Sequence, residues 1–288
     1  RLWRSVSPRK ESLLGCSSFE EFCQAQLMLG ARVIPCLLVK NGGLVKTVKF
    51  EQPKYVGDPI NAVRIFNEKE ADELIVLDID ATVQGREPNY DMIRNLAAEC
   101  RMPLCYGGGV NSVEHFKRII GLGVEKVAIS TAAVDNPDLV SEAAEVVGNQ
   151  SVVVVLDTKK SRFSSKYEVF THNGTRSSEQ LVSDYARKIE SFGAGEIVIN
   201  SIDHDGLMGG YDHKLIQQVR NIVSVPVTAL GGAGTLDDIR GLVKRFGIIG
   251  AAAGSLFVFK GKYRAVLINY PVQQQSDKII GHSKGINT

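Results

Sequence analysis

Three things are missing from this chain of 288 residues, and each closes off a class of function. It has no excess of charge: 34 lysines and arginines against 32 acids leave a net charge of +2. Nucleic acid and acidic membrane surfaces hold proteins through a strong basic bias, so neither is an expected partner. It has no apolar run long enough to span a bilayer, so membrane insertion is not expected. It has no CxxC pair and no zinc spacing among the five cysteines at 16, 23, 36, 100 and 105. Cys36 and Cys105 sit inside apolar runs, where cysteine behaves as a small buried hydrophobe. No metal and no cofactor is expected, and the expected compartment is the cytoplasm.

The first thirty residues lack a clear period and the long apolar core of a secretory signal. They are expected to be an N-terminal extension outside the folded domain, with Met28 a plausible natural start. Residues 272–288 are polar and expected to fray. That leaves residues 31–271 as a single domain.

What is present is alternation. Apolar runs stand near 32–38, 74–79, 102–106, 125–130, 151–157, 195–200, 225–230 and 247–253, each followed by an amphipathic stretch. Asp58, Asn136 and Thr235 are placed to cap such helices. Continuous apolar strands alternating with helices predict parallel strands buried on both faces. Eight of them over roughly 250 residues predict a (β/α)8 TIM barrel, with an open doubly wound sheet as the competitor. Residues 162–174, "RFSSKYEVFTHNG", read as an inserted hairpin after the fifth strand.

The chain also repeats itself. "ELIVLDID" (73–80) matches "EIVINSID" (196–203); Gly108 and Gly109 match Gly231 and Gly232; Thr131 matches Ser255. Three motifs in one order at a nearly constant offset predict a barrel of two similar half-barrels, each with a copy of one site.

Each copy has the parts of an anion cup. The glycine pairs end strands, where free N–H groups can be approached without a Cβ in the way. A helix start beside a hydroxyl follows one strand later, at Ser130–Thr131 and at Gly254–Ser255. Asp205 and Gly206 stand on the same rim. Together these residues predict binding of a phosphorylated small molecule.

Acids cluster where barrel enzymes put their chemistry, at the strand ends: Asp78, Asp80, Asp157, Asp203 and Asp205. Asp157 follows five apolar residues, so its carboxylate is either used or paired with a lysine such as Lys40. Asp205 opens a glycine turn, which competes with a binding role. The strand-end twin of Asp157 in the first half is not an acid: where "VVVVLDTKK" has Asp157, "VIPCLLVKN" has Leu38. At the opposite strand ends stand Arg32, Glu73, Lys126 and Glu196. They can close a ring of ion pairs across the barrel floor, or simply mark where strands leave solvent.

The stretches "RVIPCLLVKNG", "ELIVLDIDA", "YGGGV", "STAAVDNP", "VVVVLDTKK", "GAGEIVINSIDHDGLMGGYD" and "GGAG" resemble the HisA/HisF barrel family, and within it HisF, the cyclase subunit of imidazole glycerol phosphate synthase. The resemblance covers about residues 31–260. It implies a HisH-like glutaminase partner in a heterodimer, docked on the barrel floor. Ammonia then passes a gate formed by Arg32, Glu73, Lys126 and Glu196 and travels up the barrel. It implies two catalytic aspartates at the top, one at Asp157 and one at the position held by Leu38. Asn41, Ser130, Leu207 and Leu230 also depart from the family pattern, the leucines standing where hydroxyls are expected. A changed top above a kept floor is similar to the HisF paralogues associated with glycosyl amidation in surface-polysaccharide synthesis. The main expectation is therefore an ammonia-receiving subunit that serves sugar amidation through a third protein. The alternatives are the cyclase step of histidine synthesis and a non-catalytic phosphometabolite-binding barrel.

Overall fold

The computed structural model describes residues 30–161 and 165–271. The expected extension (apart from Gly30), the expected tail and the start of the 162–174 insertion lie outside the described residues.

The chain opens with β1 (Arg32–Lys40), which turns back through β2 (Gly43–Val48) and β3 (Glu51–Gly57) before the helix Pro59–Glu68. Three strand–helix units follow: β4 (Leu74–Asp78) with Tyr90–Glu99, β5 (Leu104–Gly107) with Val113–Gly121, and β6 (Lys126–Ile129) with Thr131–Asp135 and Asp138–Val147. The second half repeats the plan. β7 (Val152–Lys160) turns back through β8 (Tyr167–Thr171) and β9 (Arg176–Leu181) before Val182–Ser191. Then come β10 (Glu196–Ser201) with His213–Arg220, β11 (Val227–Leu230) with Leu236–Phe246, and β12 (Gly250–Ala253) with Ser255–Val258.

Eight strands, β1, β4, β5, β6, β7, β10, β11 and β12, pair in parallel in that order, and β12 returns to β1. The sheet is closed, as a (β/α)8 barrel requires, and the open sheet is excluded. Each half starts with the same antiparallel excursion, β1–β2–β3 and β7–β8–β9. The first excursion is absent from the sequence reading, because its solvent-facing residues Glu51–Tyr55 carry no apolar alternation. The second runs on to Leu181, further than the expected end at 174.

Every barrel strand buries two faces. On β1, Ile34 and Cys36 point into the lumen beside Ile75, Cys105, Ala128, Val153, Val155, Val198 and Ala252. Val33, Leu37 and Val39 point outward onto the helix layer with Phe66, Leu96, Phe116 and Ile189. This is why the strands read as unbroken apolar runs. Asp58 caps its helix by accepting from the Asn61 N–H, and Thr235 with Asp238 forms a capping box. Asn136 does not cap with its side chain: it ends the short helix Thr131–Asp135, and the next begins after Pro137. The last helix is only four residues long, so Tyr270 covers that side, its ring against Phe66 and Phe257 and its hydroxyl on the Val33 carbonyl.

Candidate functional site

Inward residues recur every second position along a strand, so each barrel strand carries a column from floor to top. Four columns matter: Arg32–Ile34–Cys36–Leu38, Glu73–Ile75–Leu77, Lys126–Ala128–Ser130 and Glu196–Val198–Asn200. Their lower ends are the four charges of the floor. Arg32 bonds Glu73, and its other nitrogen reaches Glu196 at 2.8 Å; Lys126 bridges Glu73 at 2.7 Å and Glu196 at 2.8 Å. The ring is closed, and Glu73 and Glu196 are buried in it. Thr228 also donates to Glu196. Burial alone would raise the Glu196 carboxyl, but Arg32 and Lys126 outweigh it and hold it at about 2. Burial pulls the Lys126 amine down, and the two glutamates more than reverse that.

The upper ends open into a cavity. Leu38, Asp157, Gly108, Gly109, Ser130, Thr131, Asp205, Gly206, Gly231, Gly232, Gly254 and Ser255 all line it. These are the twelve top-face residues singled out from the sequence. The glycines are forced by space. A Cβ on Gly108 would lie 2.3 Å from the Asp78 carbonyl, and one on Gly232 2.1 Å from the Gly210 carbonyl; both have φ above +100°. Thr131 has part of its capacity in use, since its hydroxyl accepts the His172 N–H at 3.2 Å.

Asp157 continues the inward series of Val153 and Val155, and it is not paired with a lysine. Lys40 lies 3.5 Å from Asp80 instead. Asp157 accepts from Asn200 Nδ2 at 2.9 Å and from Ser130 Oγ at 3.2 Å. Burial pushes its carboxyl up to about 6, against those two hydrogen bonds, which favour the ionised form. A carboxyl so placed can both give and take a proton near neutral pH.

The remaining acids serve the backbone. Asp78 accepts the N–H groups of Asp80 and Ala81, and Asp203 accepts that of Lys160 at 2.8 Å. Asp205 lines the cavity and also ties two loops, accepting from Thr47 Oγ1 at 2.8 Å and from the Phe50 N–H. Leu230 lines the cavity, but Leu207 is 44% exposed and not part of the lining, and Asn41 sits in the exposed turn after β1. The apolar change at the top is therefore Leu38 and Leu230, joined by Leu77.

Lys46 and Asn200 are among the cavity residues missed from the sequence. Lys46 is buried, lines the cavity and donates to the Cys36 carbonyl at 2.7 Å; among the described residues no carboxylate lies within ion-pair distance. Burial lowers its pKa, with Cys36 and Asp205 opposing. Its only advance signal was a lone lysine in "GGLVKTV", which reads like any surface lysine of a hairpin. Asn200 was visible only as part of the repeat, where it matches Leu77.

A closed eight-strand parallel barrel with helices between the strands is a (β/α)8 TIM barrel by class. A family model described as "Histidine biosynthesis protein" matches residues 32–264. A Vibrio vulnificus protein named "Putative imidazole glycerol phosphate synthase subunit hisF3" is 56% identical over 253 residues, 88% of this chain and 97% of the relative. One from Pseudomonas aeruginosa, of the same description but named hisF2, is 54% identical over 244 residues, 85% and 97%. "Imidazole glycerol phosphate synthase subunit HisF" of Natranaerobius thermophilus is 39% identical over 243 residues, 84% and 96%. The chain belongs to the histidine biosynthesis protein family, as a HisF-like member.

Proposed function

We propose that this chain is the synthase subunit of an imidazole glycerol phosphate synthase-type complex, using ammonia made by a glutaminase partner. One observation carries the reading: a closed ring of charges and an acid poised near neutrality stand at opposite ends of one apolar lumen. The glutaminase docks at the floor. Ammonia passes Arg32, Glu73, Lys126 and Glu196 and rises through the lumen. The anionic ligand lies in the two glycine cups, with Lys46 as the buried cation beside them. Asp157 moves the proton in the ammonia-dependent cyclisation. The names of the relatives support this step.

A second reading rests on Leu38. Where the family resemblance implies a second acid, this cavity has a wall of Leu38, Leu77 and Leu230, none of which exchanges a proton. On that reading ammonia goes to another acceptor, a sugar amidated with the help of a third protein.

The two readings separate in one assay. The purified chain is given ammonium salt and the two-phosphate substrate of imidazole glycerol phosphate synthase. Turnover that Asp157→Asn abolishes supports the cyclase. No turnover with ammonium salt, and none with glutamine and a glutaminase partner, sinks it and leaves the amidation reading.

A further inference from the structure

The two-fold repeat pairs inward residues at the top of neighbouring strands. In the first half Leu38 stands opposite Leu77. In the second, Asp157 stands opposite Asn200. The first pair is an apolar contact and the second a hydrogen bond, from Asn200 Nδ2 to Asp157 Oδ1 at 2.9 Å. Asn200 is 5% exposed, and its own Oδ1 is buried with no hydrogen-bond partner.

That arrangement fixes the amide. Asp157 Oδ2 already takes the Ser130 hydroxyl, so the carboxylate is held from both sides and its plane is set. With one N–H of its amide committed to Asp157, Asn200 keeps a second N–H and an acceptor oxygen with no partner among the described residues. A buried amide oxygen without a donor is disfavoured, and this one has none among the described residues. Below it on the same column lies Val198, among Val153, Val155, Ala128 and Ile75, all apolar. Along that column the next polar side chain down is Glu196, which the floor ring occupies. A small molecule that rises through this lumen arrives where Asn200 and Asp157 line the cavity. The other titratable groups on this cavity are Asp78, Asp205, Lys46 and His172. Asp78 and Asp205 are held by backbone N–H groups, Lys46 by the Cys36 carbonyl and His172 by Thr171.

We propose that Asn200 is a positioning residue for Asp157, its amide nitrogen fixing the carboxylate and its free amide oxygen receiving an N–H of ammonia next to it. The ammonia half rests on the ammonia-using reading above. Asn200→Leu removes the donor; the near-isosteric Asn200→Asp replaces it with a second carboxyl, whose like charge adds to the expected rise; Asn200→Thr keeps a donor.

The test is carboxyl-carbon NMR on protein labelled at aspartate, with the Asp157 signal assigned by its loss in Asp157→Asn. Expected is a rise of about one pH unit in the Asp157 midpoint in Asn200→Leu and Asn200→Asp, and little change in Asn200→Thr. An unchanged midpoint in folded Asn200→Leu or Asn200→Asp overturns the positioning role. In the wild type at alkaline pH, ammonium chloride is expected to move the Asp157 signal where sodium chloride does not. In Asn200→Leu the two salts should act alike. Equal movement by both salts in the wild type, or an undiminished ammonium effect in Asn200→Leu, overturns the ammonia contact. None of these signals needs turnover, so failure of the proposed reaction and failure of this contact are told apart.

Discussion

At Asp157 the proposed proton transfer and stability pull in opposite directions. Its carboxyl holds a proton more tightly in the fold, at about 6, than in the open chain, at 3.8. The native state therefore binds the extra proton between those values, and stability falls as pH rises from the lower to the higher. Asp157→Asn removes that loss. It should raise stability at neutral pH by roughly 1–2 kcal/mol, a figure reduced for the residue's partial exposure to the cavity. The same change should cost about 10²–10⁴-fold in ammonia-driven turnover. Urea melts at pH 5 and pH 8 check the first part, and a variant that is less stable at pH 8 would refute it. Leu38→Asp should do the reverse. It sets a second carboxyl beside Leu77 in an apolar wall, so a loss of roughly 1–3 kcal/mol is expected. It should not restore a two-acid site, because Leu77 and Leu230 leave the new acid without the clamp that Asn200 and Ser130 give Asp157.

The strand column is the element that joins the two ends of the molecule. Its period of two puts Glu196 and Asn200 on one line, one at the floor and one at the site. The ring at the floor is sensitive because its members are buried and shared. Glu196→Gln leaves Arg32 and Lys126 facing each other across one remaining acid, and should cost roughly 3 kcal/mol at neutral pH. Glu196 has its pKa held down from 4.5 to about 2, so its contribution is present above 4.5 and is lost as pH falls toward 2. The gap between variant and wild type should close over that range in acid melts. The turn after β11 makes a different demand. Gly232→Ala pushes a methyl into the Gly210 carbonyl at a φ of +108°, so the loop must move. Calorimetry with inorganic pyrophosphate should then show at least about tenfold weaker binding, because backbone donors work only in place. Equal affinity would remove this cup from the site.

Over the whole molecule the halves have diverged at the top and agree in plan. Both begin with an antiparallel excursion and both end strands on a glycine pair, yet one presents Leu38 and Leu77 and the other Asp157 and Asn200. The floor joins the halves, since Arg32, Glu73 and Lys126 come from the first and Glu196, which both cations hold, comes from the second. A molecule with a shared floor and a one-sided top suits a single reaction fed from below. Lys126→Ala tests that arrangement in the assembled complex. Glutamine hydrolysis by the partner should continue while transfer to the acceptor falls and free ammonia appears in solution. Coupling that stays at the wild-type ratio would rule out passage by this route.

The amino-acid sequence by itself determined the barrel, because strands buried on both faces must read as apolar runs, and eight of them alternating with helices leave few other closures. It determined the two halves, and with them the paired glycines at the strand ends, since repeated residues announce themselves, and it showed the four floor charges as charged residues opening apolar runs. It could not place Lys46 or Asn200. A lysine in a hairpin looks solvated until the hairpin folds over the barrel mouth, and an asparagine within "EIVINS" looks like any strand residue until β7 lies beside it. Nor could it separate Leu230, inside the cavity, from Leu207, outside it, or decide whether Asp157 meets Lys40 or an amide. Those are questions of which strand neighbours which and which face a turn presents. Asp157 and Asn200, about 150 Å apart along a fully extended chain, become neighbours only when β10 lies beside β7.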